Sequence, residues 1–173
     1  MKFTGNLPQV ASLHLHPCTS GAQFIPVTTF EVMEGKGIVG NGRFFERRSR
    51  SGGPSRRQVS LIENEQIAEH SAAMGLNNIS QGAIRSNIQT NGVDLVALIG
   101  KQVQIGDAIL FIYEARTGCW KMDLICDGLK KLTEGNRLGV LAQIIQSGRI
   151  TIGDNIFVVE TSDADKNSHQ STG

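Results

Sequence analysis

The sequence predicts a mostly β domain, a barrel or sandwich of mainly antiparallel strands with a few short helices. Three observations carry this. Short stretches of alternating or β-branched and aromatic residues recur along the chain. They are punctuated by 20 glycines against only 4 prolines. Apolar residues fall at helical spacing in two places only. Many short strands separated by glycine turns are the pattern of antiparallel barrels and sandwiches, and the strand–helix alternation of a parallel sheet is missing.

Taken in order, residues 9–16 alternate apolar and polar side chains, the period of a half-buried strand, and stop at Pro17. Residues 24–33 read as a second strand running into the cluster Gly35, Gly37, Gly40 and Gly42, where the chain must turn. Residues 46–56 are polar and read as an exposed loop. Residues 57–62 alternate as a strand. Residues 63–74 then read as a helix, with Ile62, Gln66, Ile67, Ala73 and Met74 on one face and Gly75 as its stop. Short strands are expected at 83–87, 102–105 and 108–115, the last two broken by Gly106-Asp107. A second short helix is expected over 122–132. Strands at 138–146 and 155–159 close the domain, separated by Gly148 and Gly153-Asp154. From Thr161 polar residues dominate, so the organisation read from sequence is one domain over 1–160 and a disordered polar tail over 161–173.

Composition narrows the function classes. Hydrophobic residues make up 39% and charged residues 19%, and 17 Lys+Arg against 16 Asp+Glu leave a formal net charge of +1. Nothing in the total asks for a nucleic acid or a membrane surface. The distribution is uneven, because Arg43, Arg47, Arg48, Arg50, Arg56 and Arg57 share a segment with a single Glu46. That segment suits a small anionic ligand; as an RNA site it has only Phe44 and Phe45 to stack bases. The first residues lack the apolar core of a secretory signal and no 18-residue apolar run exists, so a cytoplasmic protein is expected. Three cysteines without a Cys-x-x-Cys pair suggest neither a disulfide framework nor a structural zinc site.

Gly35-Lys36-Gly37-Ile38-Val39-Gly40 spells a dinucleotide-binding pattern, but no helical period follows to hold a pyrophosphate, and glycines at a tight turn explain it. His14, His16, His70 and His169 have no further ligand at metal-site spacing. Cys18 lies in a loop beside Pro17, and Cys126 falls in an apolar helical stretch where a small buried residue is the default. Cys119 differs. It follows a long strand, in a glycine-containing turn between Arg116 and Lys121, the electropositive setting that reactive cysteines occupy. Position alone leaves it equally an ordinary loop cysteine.

Several ordered segments together carry a family likeness. They are Gly37-Ile38-Val39-Gly40-Asn41-Gly42-Arg43, Arg57-Gln58-Val59-Ser60-Leu61-Ile62, Gly82-Ala83-Ile84-Arg85-Ser86-Asn87-Ile88, Gly92-Val93-Asp94-Leu95 with Ile105-Gly106, Cys119-Trp120-Lys121, and Gly148-Arg149-Ile150 with Gly153-Asp154. In this order they resemble the landmarks of MOSC (molybdenum cofactor sulfurase C-terminal) domains, over about residues 10–159. The resemblance implies a MOSC-type β-barrel with a pocket for the molybdenum cofactor (molybdopterin). It also implies a cysteine, here Cys119, that either ligates molybdenum as the catalytic residue or carries sulfur as a persulfide. Arg85 and Asn87 match the Arg-x-Asn-Ile segment that helps hold the cofactor in relatives, and Arg57 and Lys121 are further candidates for the same anion. Asn41 and Arg43 complete the expected cofactor-binding set. The chain departs from the common pattern at Asn41, usually Asp, and at Gly118, often Pro.

Two functions follow from the likeness. One is reduction of N-hydroxylated small molecules at a Cys-ligated molybdenum centre, with electrons from a separate electron-transfer protein, because no flavin or iron–sulfur signature is present. The other is a non-catalytic sulfur carrier, loaded on Cys119 by a separate cysteine desulfurase and delivering to the cofactor or to metal–sulfur clusters; the chain is too short to include a pyridoxal phosphate domain of its own.

Overall fold

The computed structural model describes residues 7–77, 79–80 and 82–160; the expected tail at 161–173 lies outside the described residues. The elements run β1 (Gln9–Leu15), β2 (Ile25–Val27), β3 (Thr29–Met33), β4 (Gly37–Ile38), β5 (Val59–Glu63), α1 (Asn64–Ala73), β6 (Ile88–Asn91), β7 (Gln102–Ile105), β8 (Ala108–Ala115), α2 (Leu129–Leu132), β9 (Val140–Gln146), β10 (Gly148–Thr151) and β11 (Ile156–Val158).

An eight-stranded sheet has the order β11-β7-β8-β9-β5-β6-β1-β2, and a three-stranded sheet the order β10-β3-β4. All pairs are antiparallel except β5 with β6. The fold is therefore mostly β, with a large mixed sheet and few helices. The expected barrel is not closed. The first residue of β1 meets the chain before β11 in an isolated bridge, Gln9 with Asn155, and Ile156 N donates to Pro8 O at 2.8 Å, but no continuous ladder joins β1 to β11. Alternation within a strand specifies which face is buried and says nothing about whether distant edges meet.

The strand, helix and strand read at 57–62, 63–74 and 83–87 form one unit, β5-α1-β6, and its two strands pair in parallel. Its second strand was expected at 83–87 and lies at Ile88–Asn91 instead, because residues 82–87 form a turn. Ala83 N donates to Ser80 O and Arg85 N to Gly82 O, and Arg85 itself is left-handed at φ 63°. The expected strand at 24–33 divides between the sheets: Pro26, which has no N–H to offer a ladder, sits on edge strand β2, and β3 crosses to the small sheet. The helix expected over 122–132 is a 3₁₀ turn at Trp120–Met122 and the short α2, separated by Gly128. Residues 148–151, read as a break, are β10.

Two cores hold these parts. The larger joins the sheets through residues such as Leu13, Val32, Ile88, Leu110, Ile144 and Ile150. The smaller gathers Ile62, Ile67, Ile79, Ile84, Met122, Leu129 and Leu138 beneath α1 and α2. Burying each such side chain contributes roughly 1.5–3 kcal/mol. The smaller core matters for function, because Ile84 and Met122 anchor the residues on either side of them, Arg85 and Lys121.

Candidate functional site

The chain brings five stretches to one place: the end of β1, the turn around Asn41, the beginning of β5 and the two irregular segments 82–87 and 116–122. The turn at Asn41 can approach β1 only because residue 42 is glycine, where a Cβ would lie 2.6 Å from Pro17 O. Asn41 Oδ1 then accepts from His16 N at 2.7 Å. From the other side Asn87 Nδ2 donates to Asn41 Oδ1 (2.9 Å) and to His14 O (3.1 Å). Asn87 Oδ1 accepts from both N and Oγ of Ser60 at 3.1 Å, and Asn87 N donates to Ser60 Oγ at 3.0 Å. Every hydrogen-bonding position of the Asn87 amide is thus occupied, and the residue is only 4% exposed. It lines the floor and ties three elements together.

Above this floor is a cavity of about 280 Å³. Arg43, Arg47, Arg57, Arg85, Arg116 and Lys121 line it, and no Asp or Glu does. The three ion pairs found among the described residues, Lys36–Glu46, Arg137–Glu69 and Arg149–Glu31, use none of these cations. Arg116 is 7% exposed; Nη2 donates to Ile84 O at 3.0 Å and Nη1 is buried without a partner among the described residues. Burial, reinforced by Arg57 and opposed by Cys119, pushes its guanidinium down to about 10, so it stays charged at neutral pH. Arg85 Nη1 donates to Ala22 O at 3.0 Å while Nη2 is buried without a partner. Burial likewise lowers its pKa, an effect Cys119 opposes. An unmatched buried donor costs about 1–3 kcal/mol, more when charged, and a left-handed non-glycine residue about as much again. Both penalties fall on residues facing the same cavity.

Aromatic rings hold the cations in place. Arg43, Arg47 and Arg57 lie 5.7, 4.9 and 5.4 Å from the Phe44 ring centre, and Arg85 lies 4.9 Å from that of Phe24. His16 sits between the rings of Phe24 and Phe44 at 4.7 and 4.5 Å, with Nδ1 3.0 Å from Pro17 O. Burial lowers its pKa below the ordinary value, the Pro17 carbonyl partly offsets this, and Arg85, Arg43 and Lys121 lower it further. The imidazole is therefore neutral at pH 7.

Cys119 is exposed at the cavity wall. Its carbonyl accepts from Met122 N at 3.0 Å, and the buried Met122 fixes the turn from below. Gly118 is required by close approach, since a Cβ there would lie 2.6 Å from Thr133 Oγ1. A proline at this position would meet the same obstacle.

All seven residues expected from sequence, Cys119, Arg85, Asn87, Arg57, Lys121, Asn41 and Arg43, line this one cavity. The sequence reading missed Arg116 as a lining group, although it flanks Cys119, and set His16 aside with the other histidines. Phe24, Phe44, Arg47 and Ser60 also line it. Among the described residues no group of three or more His, Cys, Asp or Glu could hold a metal ion alone, and no helix is long and apolar enough to cross a membrane.

The family model described as MOSC domain matches residues 47–157. No curated protein matches the chain. Among solved structures, the YuaD protein from Bacillus subtilis is similar at 19% identity and a TM-score of 0.73, over 90% of this chain and 98% of that one. YiiM from Geobacillus stearothermophilus is similar at 17% identity and a TM-score of 0.69, over 88% and 75% of the two chains. YiiM from Escherichia coli follows at 14% identity and a TM-score of 0.65, over 89% and 71%. At these identities the neighbours speak for the fold, and the family match spans most of the described domain: the chain belongs to the MOSC domain family.

Proposed function

We propose that the protein binds the molybdenum cofactor in the cationic cavity and reduces N-hydroxylated compounds there, with Cys119 as the protein ligand to the metal. The observation that carries this reading is the pair of buried guanidinium nitrogens, Arg85 Nη2 and Arg116 Nη1, that have no partner among the described residues, in a cavity whose described lining holds six cations and no carboxylate. Such a cavity is built for an anion that supplies several oxygens, as a phosphate-bearing pterin does. A soft thiolate on its wall suits molybdenum. The residues present therefore fit the cofactor, which when bound supplies two-electron redox chemistry.

The chain's own groups divide the remaining work. Arg85 and Arg116 donate to the anionic oxygens, and Arg43, Arg47 and Arg57 screen the charge at the mouth. Asn87, Asn41 and Ser60 keep the floor rigid. With Nδ1 facing the Pro17 carbonyl, neutral His16 carries its lone pair on Nε2, which can take up a proton within the cavity. Protein made in cofactor-competent cells should contain molybdenum near stoichiometry by elemental analysis; Cys119→Ser protein that kept both metal and reductase activity would sink the proposal.

The exposure of Cys119 favours a second reading, a sulfur carrier loaded as a persulfide. Incubation with a cysteine desulfurase and cysteine would then add the mass of sulfur to Cys119, and an unchanged mass would count against it.

A further inference from the structure

Another cavity, of about 270 Å³, shares Arg57 and Arg116 with the cationic one and no other residue. It opens at the end of β8, where Tyr113, Glu114 and Ala115 lead into Thr117, with Leu141 of the paired strand β9 across from them. Neighbours in a regular strand face opposite ways. Here the ladder slips: Ile112 pairs with Ala142 and Glu114 with Leu141, so Tyr113 is an extra residue and both it and Glu114 reach the same cavity.

The charges in this wall are not matched to one another. Arg57 and Arg116 line it, and the guanidinium of Arg56 lies 4.3 Å from the Tyr113 ring centre. Glu114 lines it too, yet the ion pairs found among the described residues include none of these four groups. Burial, followed by Glu114, raises the Tyr113 pKa, and Arg56 and Arg57 oppose this, so the phenol keeps its proton at neutral pH and can donate it. The wall thus offers two guanidinium groups and two hydroxyls as donors, and one carboxylate as an acceptor.

We propose that this cavity binds inorganic phosphate as hydrogenphosphate, with Arg57, Arg116, Tyr113 and Thr117 donating to its oxygens and Glu114 accepting its proton. Nothing in this site depends on molybdenum. Donors alone would take any oxyanion, and the carboxylate supplies the choice. Sulfate has the same shape but no proton at neutral pH, so one of its oxygens meets Glu114 lone pair to lone pair. A phosphate monoester has lost its last proton above a pKa of about 6 and meets the same repulsion. Because Arg57 and Arg116 belong to both walls, an anion in one cavity draws donors from the other, and the weakening is reciprocal.

Tyr113 is the only tyrosine of the chain, so full-length protein made with ring-¹³C-labelled tyrosine reports on this cavity alone in NMR spectra. Inorganic phosphate, sulfate and glycerol 2-phosphate are titrated at neutral pH, with sodium chloride holding the ionic strength constant. Phosphate should shift the Tyr113 signals saturably, and the other two should bind at least about tenfold more weakly. Glu114→Gln, at an exposed position, should tighten sulfate by about tenfold, a gain that no folding defect can mimic. Thr117→Val removes one donor and should weaken phosphate by about fivefold. Arg43→Gln alters only the neighbouring cavity and should not weaken phosphate as read at Tyr113. The proposal is overturned by a non-saturable shift, by sulfate or the monoester binding as tightly as phosphate, or by unchanged sulfate affinity in Glu114→Gln. It is also overturned if Arg43→Gln costs as much phosphate affinity as Thr117→Val, because the anion would then sit in the neighbouring cavity.

Discussion

The floor of the cationic cavity and the Cys119 turn are built on opposite plans. The floor is buried and densely bonded: Asn87 is tied to Ser60, to Asn41 and to the backbone of His14, and Asn41 to the backbone of His16, so no polar atom of the Asn87 amide is free for a ligand. The Cys119 turn is exposed and fixed from beneath by the buried side chain of Met122 and the close fit of Gly118 against Thr133. Between them stand Arg116, buried, and Arg85, half-buried, each with one buried guanidinium nitrogen that lacks a partner among the described residues. The contrast separates residues that shape the receptor from residues left with something to give. Incomplete satisfaction marks the second group better than burial or charge does, since buried polar groups without partners are uncommon and costly.

The comparison breaks most severely if Asn87 proves dispensable. Asn87→Ala leaves Ser60 N and Oγ, His14 O and Asn41 Oδ1 short of partners in a buried place, and should cost about 3 kcal/mol in chemical denaturation, with ligand binding lost only as the fold is lost. Cys119→Ser should do the opposite. Stability should change by no more than about 0.5 kcal/mol, as expected at an exposed site, while reductase activity of the molybdenum-loaded protein falls by at least about a hundredfold. A Cys119→Ser variant as unstable as Asn87→Ala would show that the turn is structural after all.

Arg116 tests the middle class. Replacement by Met keeps most of the volume, removes the unpaired Nη1 and gives up one bond to Ile84 O. Stability should hold or rise by about 1 kcal/mol, as when buried charges give way to apolar side chains, and affinity for inorganic phosphate should fall by about tenfold. Calorimetry on the same samples reads both. A loss of stability without a loss of phosphate affinity would move Arg116 into the floor.

Legibility followed the range of the interactions concerned. Strands β7 and β8 stand where the sequence puts them, because Gly106-Asp107 is a local turn signal between two alternating runs. The turn at 82–87 was unreadable as such: Ile84 and Ile88 look like strand residues, and their burial in two different cores is a property of the assembled fold. The left-handed backbone of Arg85 has no sequence signal at all. Sheet closure failed for the same reason, being decided by edges 146 residues apart at Gln9 and Asn155. The site residues were legible chiefly through family likeness. What the likeness could not convey was which of them remain available, and Asn87 and Arg116 exchanged importance once their bonds were known. His16 becomes part of the site through contacts distant in sequence, with Asn41, 25 residues away, and with the ring of Phe44.

The smallest effect concerns pH and sharpens the distinction between floor and rim from beneath. His14 is 1% exposed behind the floor, and neither ring nitrogen has a well-formed partner. Burial lowers its pKa, partly offset by the Ser86 backbone, and burial also lowers that of His16. Both folded values lie below the ordinary 6.5, so on acidification the unfolded chain takes up protons first. The stability these histidines contribute is complete above pH 6.5 and is lost as pH falls through their folded values. Glu63 works the other way, because burial raises its carboxyl above 4.5; its contribution is complete at low pH and is lost as pH rises through the folded value. At pH 5.5, one unit below the ordinary histidine value, each histidine can withdraw at most about 1.4 kcal/mol. The melting temperature should therefore drop by a few degrees between pH 7.5 and 5.5. His14→Leu should reduce that drop without lowering stability at pH 7.5, because it removes a proton acceptor and two unsatisfied nitrogens while Asn87 keeps its bond to the backbone carbonyl of residue 14. An unchanged drop in His14→Leu would place the acid sensitivity in the rim, at His16.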